Sequence, residues 1–284
     1  MDTNAIEIRG LCKRYKDFSL EDLHLDLPYG CVLGLVGENG AGKSTTIRLI
    51  MDALERDGGT VSVLGVDNKS GEFLEVKEEV GVVLDETFVP EVMSAKQLGK
   101  VMAGTYKNWD QAAYNSWLNR FDLPPNKKFK DYSRGMTMKL GIAAALSHHA
   151  RLLLLDEATG GLDPMVREEL LEVFADFAAQ DGHAVLLSSH IVSDLERICD
   201  YIAFLHKGRL VLCEEKDLLL DKYGILKCSK EQFGNIPPEA VHGKRVGTYG
   251  VEALVEREFM PRDAVVDRAN LEDIILYMVK GEKQ

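Results

Sequence analysis

The sequence predicts an α/β fold: a mostly parallel sheet, an inserted helical lobe, and a small α+β extension at the C-terminal end. Three observations carry that prediction. A glycine-rich loop, GENGAGKS (37–44), stands between an apolar strand and a helix. Strand-length apolar runs alternate with helical periods before and after the lobe. Between residues 91 and 150 the pattern changes to helices, which places a lobe at about 88–150.

The elements follow in order. AIEIRGLCKRY…FSLEDLHLDL (5–27) alternates apolar and polar residues as half-buried strands do. CVLGLVG (31–37) reads as a buried strand and KSTTIRLIMDAL (43–54) as the helix after the loop. Further strands are expected at GTVSVLG (59–65), VGVVL (80–84), RLLLLD (151–156) and HAVLLSS (183–189). YIAFLHKGRLVL (201–212) reads as a hairpin turning at Lys207-Gly208. EVMSAKQLGKVMAG and WDQAAYNSWLNRF are helices of the lobe, and PMVREELLEVFADFAAQ and IVSDLERIC follow it. After about residue 220 come LKC, a short helical KEQFGN, a PP turn and GKRVGTYGVEALVERE. The last helix, ANLEDIILYMV, has Leu271, Ile274, Ile275 and Met278 on one face, with an Asn270 cap answered by Asp273. Two domains are expected, 1–218 and 219–284, with packing as the default role of the second.

With 284 residues, 45% hydrophobic and 28% charged, the chain has the make-up of an ordinary globular protein. No run of eighteen apolar residues is present, and MDTNAIEIRG lacks the pattern of a secretion signal. Five scattered cysteines without a C-x-x-C pair suit free thiols in a reducing cytosol. A net charge of −12 argues against a nucleic-acid partner, which normally meets a concentrated Lys/Arg face. The one basic cluster, NKKFK (126–130), reads as a solvated loop.

GENGAGKS fits G-x-x-x-x-G-K-[ST], a phosphate-binding loop. Glycine is required because the backbone must curl until successive N–H groups point at one anion. The candidate nucleotide-binding residues are Gly37, Glu38, Asn39, Gly40, Ala41, Gly42, Lys43, Ser44 and Thr45. Lys43 supplies a cation for the β- and γ-phosphates, and the Ser44 hydroxyl a Mg²⁺ ligand. RLLLLDE (151–157) is an apolar run ending in two carboxylates, at the strand end where ligands gather. Asp156 is the candidate to hold Mg²⁺, directly or through water. Glu157 is the candidate to polarise a water aligned on the γ-phosphate.

Together these residues resemble the ATP-binding cassette (ABC) ATPases, and further family motifs fall in order. YSRGM (132–136), opening the helix TMKLGIAAAL, stands where the family carries its LSGGQ signature. Ser133 and Gly135 match that pattern; Tyr132, Arg134 and Met136 depart from it. The resemblance implies that this helix start caps the γ-phosphate bound by a second subunit, so that two chains sandwich two ATPs. A hydroxyl and an amide at a helix start make an anion site, and Arg134 is either an added cation for it or a solvent-facing side chain.

TGGLDP (159–164) resembles the family's D-loop, with Asp163 reaching the partner subunit and also suited to cap the helix after Pro164. LLSSHIVSDLERICD (186–200) resembles the switch region and makes His190 the γ-phosphate sensor. Tyr15 stands where the family places an aromatic against adenine; a strand-core tyrosine is the other reading. The family's Q-loop glutamine falls at Asp85, implied to contact Mg²⁺ and the attacking water. A carboxylate there implies either slow hydrolysis or an Asp85 turned away until a membrane partner moves it.

Asp85 with YSRGM is similar to the ABC ATPases found beside GntR-type regulators and to bacitracin and lantibiotic exporters. The resemblance covers residues 1–215. It implies a P-loop ABC nucleotide-binding domain with an antiparallel β subdomain, ATP and Mg²⁺ as cofactors, and hydrolysis coupled to a separate integral-membrane permease. A second ATPase subunit, identical or related, and a place on the cytoplasmic face of the cell membrane are implied as well. A soluble ABC ATPase acting on ribosomes or chromosomes is the alternative; a GTP switch lacks its N-K-x-D motif, DNKSG (67–71) offering only Asn-Lys.

Overall fold

The computed structural model describes residues 3–85, 89–248, 250–261 and 264–281. The expected lobe boundary at 88 and the chain end at 284 lie outside them. Strands β1 (Asn4–Arg14) and β2 (Ser19–Pro28) pair antiparallel, then the chain enters β3 (Val32–Val36) and helix α1 (Lys43–Ile50). β4 (Gly58–Val63) and β5 (Val66–Asp67) return to the first pair and complete a four-stranded sheet of order β2-β1-β4-β5. In β2 the residues Leu20, Leu23, Leu25 and Leu27 are buried while the residues between them stay partly wet, the pattern of a sheet with one dry face.

A short α2 (Phe73–Val76) leads to β6 (Val80–Val83), and the chain then leaves for three helices, α3 (Ala95–Thr105), α4 (Gln111–Arg120) and α5 (Arg134–Ala145). α3 begins at a capping box in which Ser94 and Gln97 satisfy each other's amides. The return path is β7 (Leu152–Asp156), α6 (Pro164–Ala178), β8 (Ala184–Ser189), α7 (Val192–Ile198) and the hairpin β9 (Tyr201–His206) with β10 (Arg209–Glu215). Lys207 and Gly208 both take positive φ, the two-residue turn that the sequence predicts.

The central sheet has the order β10-β9-β3-β8-β7-β6 and is parallel except for the β9–β10 pair. Every residue of β3, β7 and β8 is buried, which explains why these strands read as apolar runs up to the polar residues that close β7 and β8. Their carboxyl ends are level: Val36 lies beside Ser189 and Asp156 beside Ser188. The loops leaving β3, β7 and β8 are therefore neighbours by construction.

α8 (Lys216–Lys222) spans the expected 218/219 division and passes into β11 (Tyr223–Cys228). α9 (Lys230–Phe233), β12 (Val241–Val246), β13 (Val251–Glu256), β14 (Val266–Arg268) and α10 (Leu271–Gly281) complete a four-stranded antiparallel sheet and its helix. α10 is capped by Asn270 and Asp273 as the sequence predicts. Its buried Leu271, Ile274 and Tyr277 join the apolar cluster that holds Leu195 and Cys199, at and just beyond α7. Leu271→Ala should therefore lower unfolding free energy by about 2–5 kcal/mol, the range for emptying a buried leucine site. Urea denaturation measures it, and a loss below about 1 kcal/mol would remove α10 from the core.

Candidate nucleotide site

The loop after β3 curls as an anion cradle must. Gly40 (φ +82°) and Gly42 (φ +113°) occupy the left-handed region, and a Cβ on Gly37 would lie 2.3 Å from the Leu205 carbonyl oxygen. Gly42 is also the N-cap of α1 and offers no side chain to its first amides, so these remain donors for an anion. Thr46 Oγ1 and the Gly208 amide pin the loop by bonding the Gly42 and Ala41 carbonyls at 2.9 and 3.0 Å. Glu38, Asn39, Ser44 and Thr45 sit on this same curl and the first turn of α1.

Lys43 is only 5% exposed, and its Nζ donates to the Gly37 carbonyl at 2.7 Å and more weakly to that of Glu38 at 3.4 Å. It also stands 3.1 Å from Glu157 Oε1. Glu157 Oε2 accepts from His190 Nδ1 at 2.6 Å. Burial pushes the Glu157 carboxyl up, but the His190 hydrogen bond and the Lys43 charge together outweigh it, leaving it below the ordinary carboxylate value. Glu157 thus stays ionised, an acceptor for donors on two sides. Its backbone is in the left-handed region at φ 51°, sparsely used by a long side chain. The Glu157 amide donates to both the carbonyl and the hydroxyl of Ser188 at 3.1 Å, which holds it there.

Asp156 ends β7, 3% exposed, and accepts from Ser188 Oγ at 2.6 Å. Sequence reading passed over Ser188; the signal was a pair of serines closing an otherwise apolar strand just before His190. Asp163 caps α6 by accepting from the Val166 amide at 3.0 Å, and Ser133 caps α5 by accepting from the Met136 amide at 3.2 Å. A Cβ on Gly135 would meet nothing closer than Val166 at 3.5 Å, so packing within the chain does not demand glycine there.

Tyr15 is 46% exposed and borders an open depression with Gly40, Phe18 and Lys207, so it is no strand-core residue. Asp85 and Arg134 are joined to one another at 2.7 Å, an arrangement in which Asp85 is turned to the arginine, and Arg134 Nε donates to the Gly160 carbonyl at 2.9 Å. Beside Leu84 an apolar groove of about 410 Å³ opens between β6 and the helices α3 and α5, lined by Val83, Val101, Met102, Tyr106 and Leu140 among others.

The ABC transporter family matches residues 20–160. The ABC transporter ATP-binding protein YtrB of Bacillus subtilis (strain 168) is 31% identical over 77% of this chain and 74% of its own length. The chain belongs to the ABC transporter ATP-binding proteins. The bacitracin transport ATP-binding protein BcrA of Enterococcus faecalis is also 31% identical, over 73% of this chain and 68% of its own. A solved ATP-binding subunit of an ABC transporter superposes with a TM-score of 0.69 at 28% identity, covering 81% of this chain and 93% of that one. This ABC ATPase therefore binds ATP and hydrolyses it. Among the described residues no helix is long and apolar enough to cross a membrane.

Because Lys43 supplies the one buried ammonium at the loop, Lys43→Ala should weaken ATP binding by about 10- to 100-fold, the worth of a charged hydrogen bond. Calorimetric titration with ATP measures it. In the same variant the Glu157 carboxyl should titrate at higher pH, since burial is then opposed by His190 with no lysine behind it.

Proposed function

We propose that this chain is the ATP-hydrolysing subunit of an ABC membrane exporter, working on the cytoplasmic face of the membrane beside a separate permease. The convergence of Lys43, Glu157 and His190 at three neighbouring strand ends carries the reading. Residues 1–218 form the ATPase domain and 219–284 an extension that packs on it. The curl from Gly37 to Thr45 binds the phosphates, and Tyr15 takes the adenine on its exposed face. Glu157 is the general base: an ionised carboxylate, hydrogen-bonded to His190, accepts a proton from the attacking water. His190 orients that carboxylate and reports the γ-phosphate.

Mg²⁺ fits the donor set. Ser44 and Asp156 offer hard oxygens, and the ion takes one or two such ligands and draws the rest from phosphate and water. It would supply charge neutralisation at the β- and γ-phosphate oxygens. Asp85 faces Arg134 in this arrangement, so a place for it at the metal requires that pair to open.

Two subunits close with Ser133 and Gly135 of one against the γ-phosphate held by the other. The open space over Gly135 supports this, because a glycine that its own chain does not need leaves room for a close approach from outside. Asp163, beside the strongly exposed Met165, belongs to the same closing face. The apolar groove next to Asp85 takes a short helix of the permease, an occupant supported by its apolar lining, of which Val101 is half exposed.

Glu157→Gln should bind ATP, accumulate as a dimer on gel filtration, and lose about 10²–10⁴ of the turnover. Wild-type turnover by that variant would remove Glu157 from the chemistry. Val101→Arg should keep ATP binding by the chain and lose its co-purification with the membrane permease; retained co-purification would move the docking site elsewhere.

A further inference from the structure

Arg134 touches three things in its own chain. Its Nη2 meets Asp85 Oδ1 at 2.7 Å, and its Nε donates to the Gly160 carbonyl at 2.9 Å. Its stem covers Gly161, where φ is +68° and a Cβ would meet Arg134 Nε at 3.3 Å. A Cβ on Gly160 would find Glu157 O at 3.3 Å, His190 Cε1 at 3.7 Å and Arg134 Nη2 at 3.8 Å. The Gly160 amide in turn bonds the Glu157 carbonyl at 3.0 Å. One guanidinium therefore links Asp85, directly beyond the apolar groove, to the turn that carries Glu157 and flanks His190.

We propose that Arg134 is a positioning residue for the Glu157–His190 pair and that Asp85 holds it in that role. The two departures from the family pattern, a carboxylate at the Q-loop position and an arginine after the signature serine, thus compensate one another. Stability is not the reason for the pair. Its side chains are 54% and 47% exposed, and ion pairs so wet contribute about 0–1 kcal/mol. Geometry is the reason: the planar fork of arginine sets two hydrogen bonds at a fixed angle, which a lysine cannot do. Misplacing a reacting group by about 1 Å can cost about 10²-fold in rate, far more than the pair contributes to folding. A shift of Asp85 when the groove is filled is passed through Arg134 to the Gly160–Gly161 turn. Groove occupancy and water activation are coupled by this contact.

The inference rests on Glu157 as the residue that activates water, and a double-mutant cycle in the full chain tests it. ATP turnover and ATP affinity are measured for Asp85→Asn, Arg134→Gln and the double variant. Each single variant should lower kcat roughly tenfold with ATP affinity changed less than about twofold, and the double should be no slower than the slower single. Arg134→Lys should be as slow as Arg134→Gln, and denaturation midpoints should stay at the wild-type value. Independent effects of the two singles, an unchanged kcat in Asp85→Asn, full rescue by Arg134→Lys, or a loss confined to ATP affinity would each overturn the proposal. Glu157→Gln, run in parallel, separates the readings. Its silence with independent singles sinks only the positioning role, whereas its full turnover sinks the assignment of Glu157 itself.

Discussion

Everything at this site depends on one carboxylate held between two donors, Lys43 and His190, that follow different strands. Glu157 leaves β7 in a left-handed conformation that its side chain would not choose, at a cost on the order of 1–3 kcal/mol. Two hydrogen bonds from its amide to Ser188, on the neighbouring strand, stabilise that conformation. The turn aims the carboxylate back over the sheet edge, where it meets Lys43 from the loop after β3 and His190 from the end of β8. Because β3, β8 and β7 are adjacent and in register, the three groups meet without any long reach. The parallel sheet does the positioning, and the left-handed residue does the aiming.

That arrangement ties the cation of the loop and the carboxylate after β7 into one pair. Lys43 and Glu157 balance one another in a buried setting, where an unpaired charge would cost several kcal/mol. Lys43 stands at one oxygen of the Glu157 carboxylate and His190 at the other, so whatever draws on Lys43 bears directly on Glu157. This also resolves how a chain of net charge −12 accommodates a polyanion. The loop offers one buried ammonium and the uncapped amides at the start of α1, local groups that the mean charge does not describe.

Much of this was legible in the residues because each motif is local. The curl at 37–44, the acids after RLLLLD, the capping Asp163 and the final Asn270–Asp273 cap depend on neighbours a few positions apart. The contacts that were not legible join distant segments. Asp85 and Arg134 are 49 residues apart, Lys43 and Glu157 more than a hundred, and neither sequence nor spacing states that one will close on the other. Ser188 was hidden for another reason. A serine at the end of a buried strand reads as an ordinary strand ending, and its meaning comes only from the register that sets it beside Asp156. The composition of α10 likewise announced an apolar face, but not that Leu271 and Ile274 would close over the core beside α7.

The placement of α10 ties the C-terminal sheet to the helix that follows His190. α7 begins two residues after His190, whose imidazole meets Glu157 at 2.6 Å. α7 is seven residues long, too short to hold a course by its own hydrogen bonds, and it takes its orientation from what it packs on. On one side that is β3 and α6; on the other it is α10 with its buried leucine and isoleucine. Close-packed interfaces of this kind do not deform smoothly, so α7 and α10 hold one another in place. Through Leu271, Ile274 and Tyr277 the C-terminal sheet and its helix are therefore joined to the cluster that holds the short helix after His190.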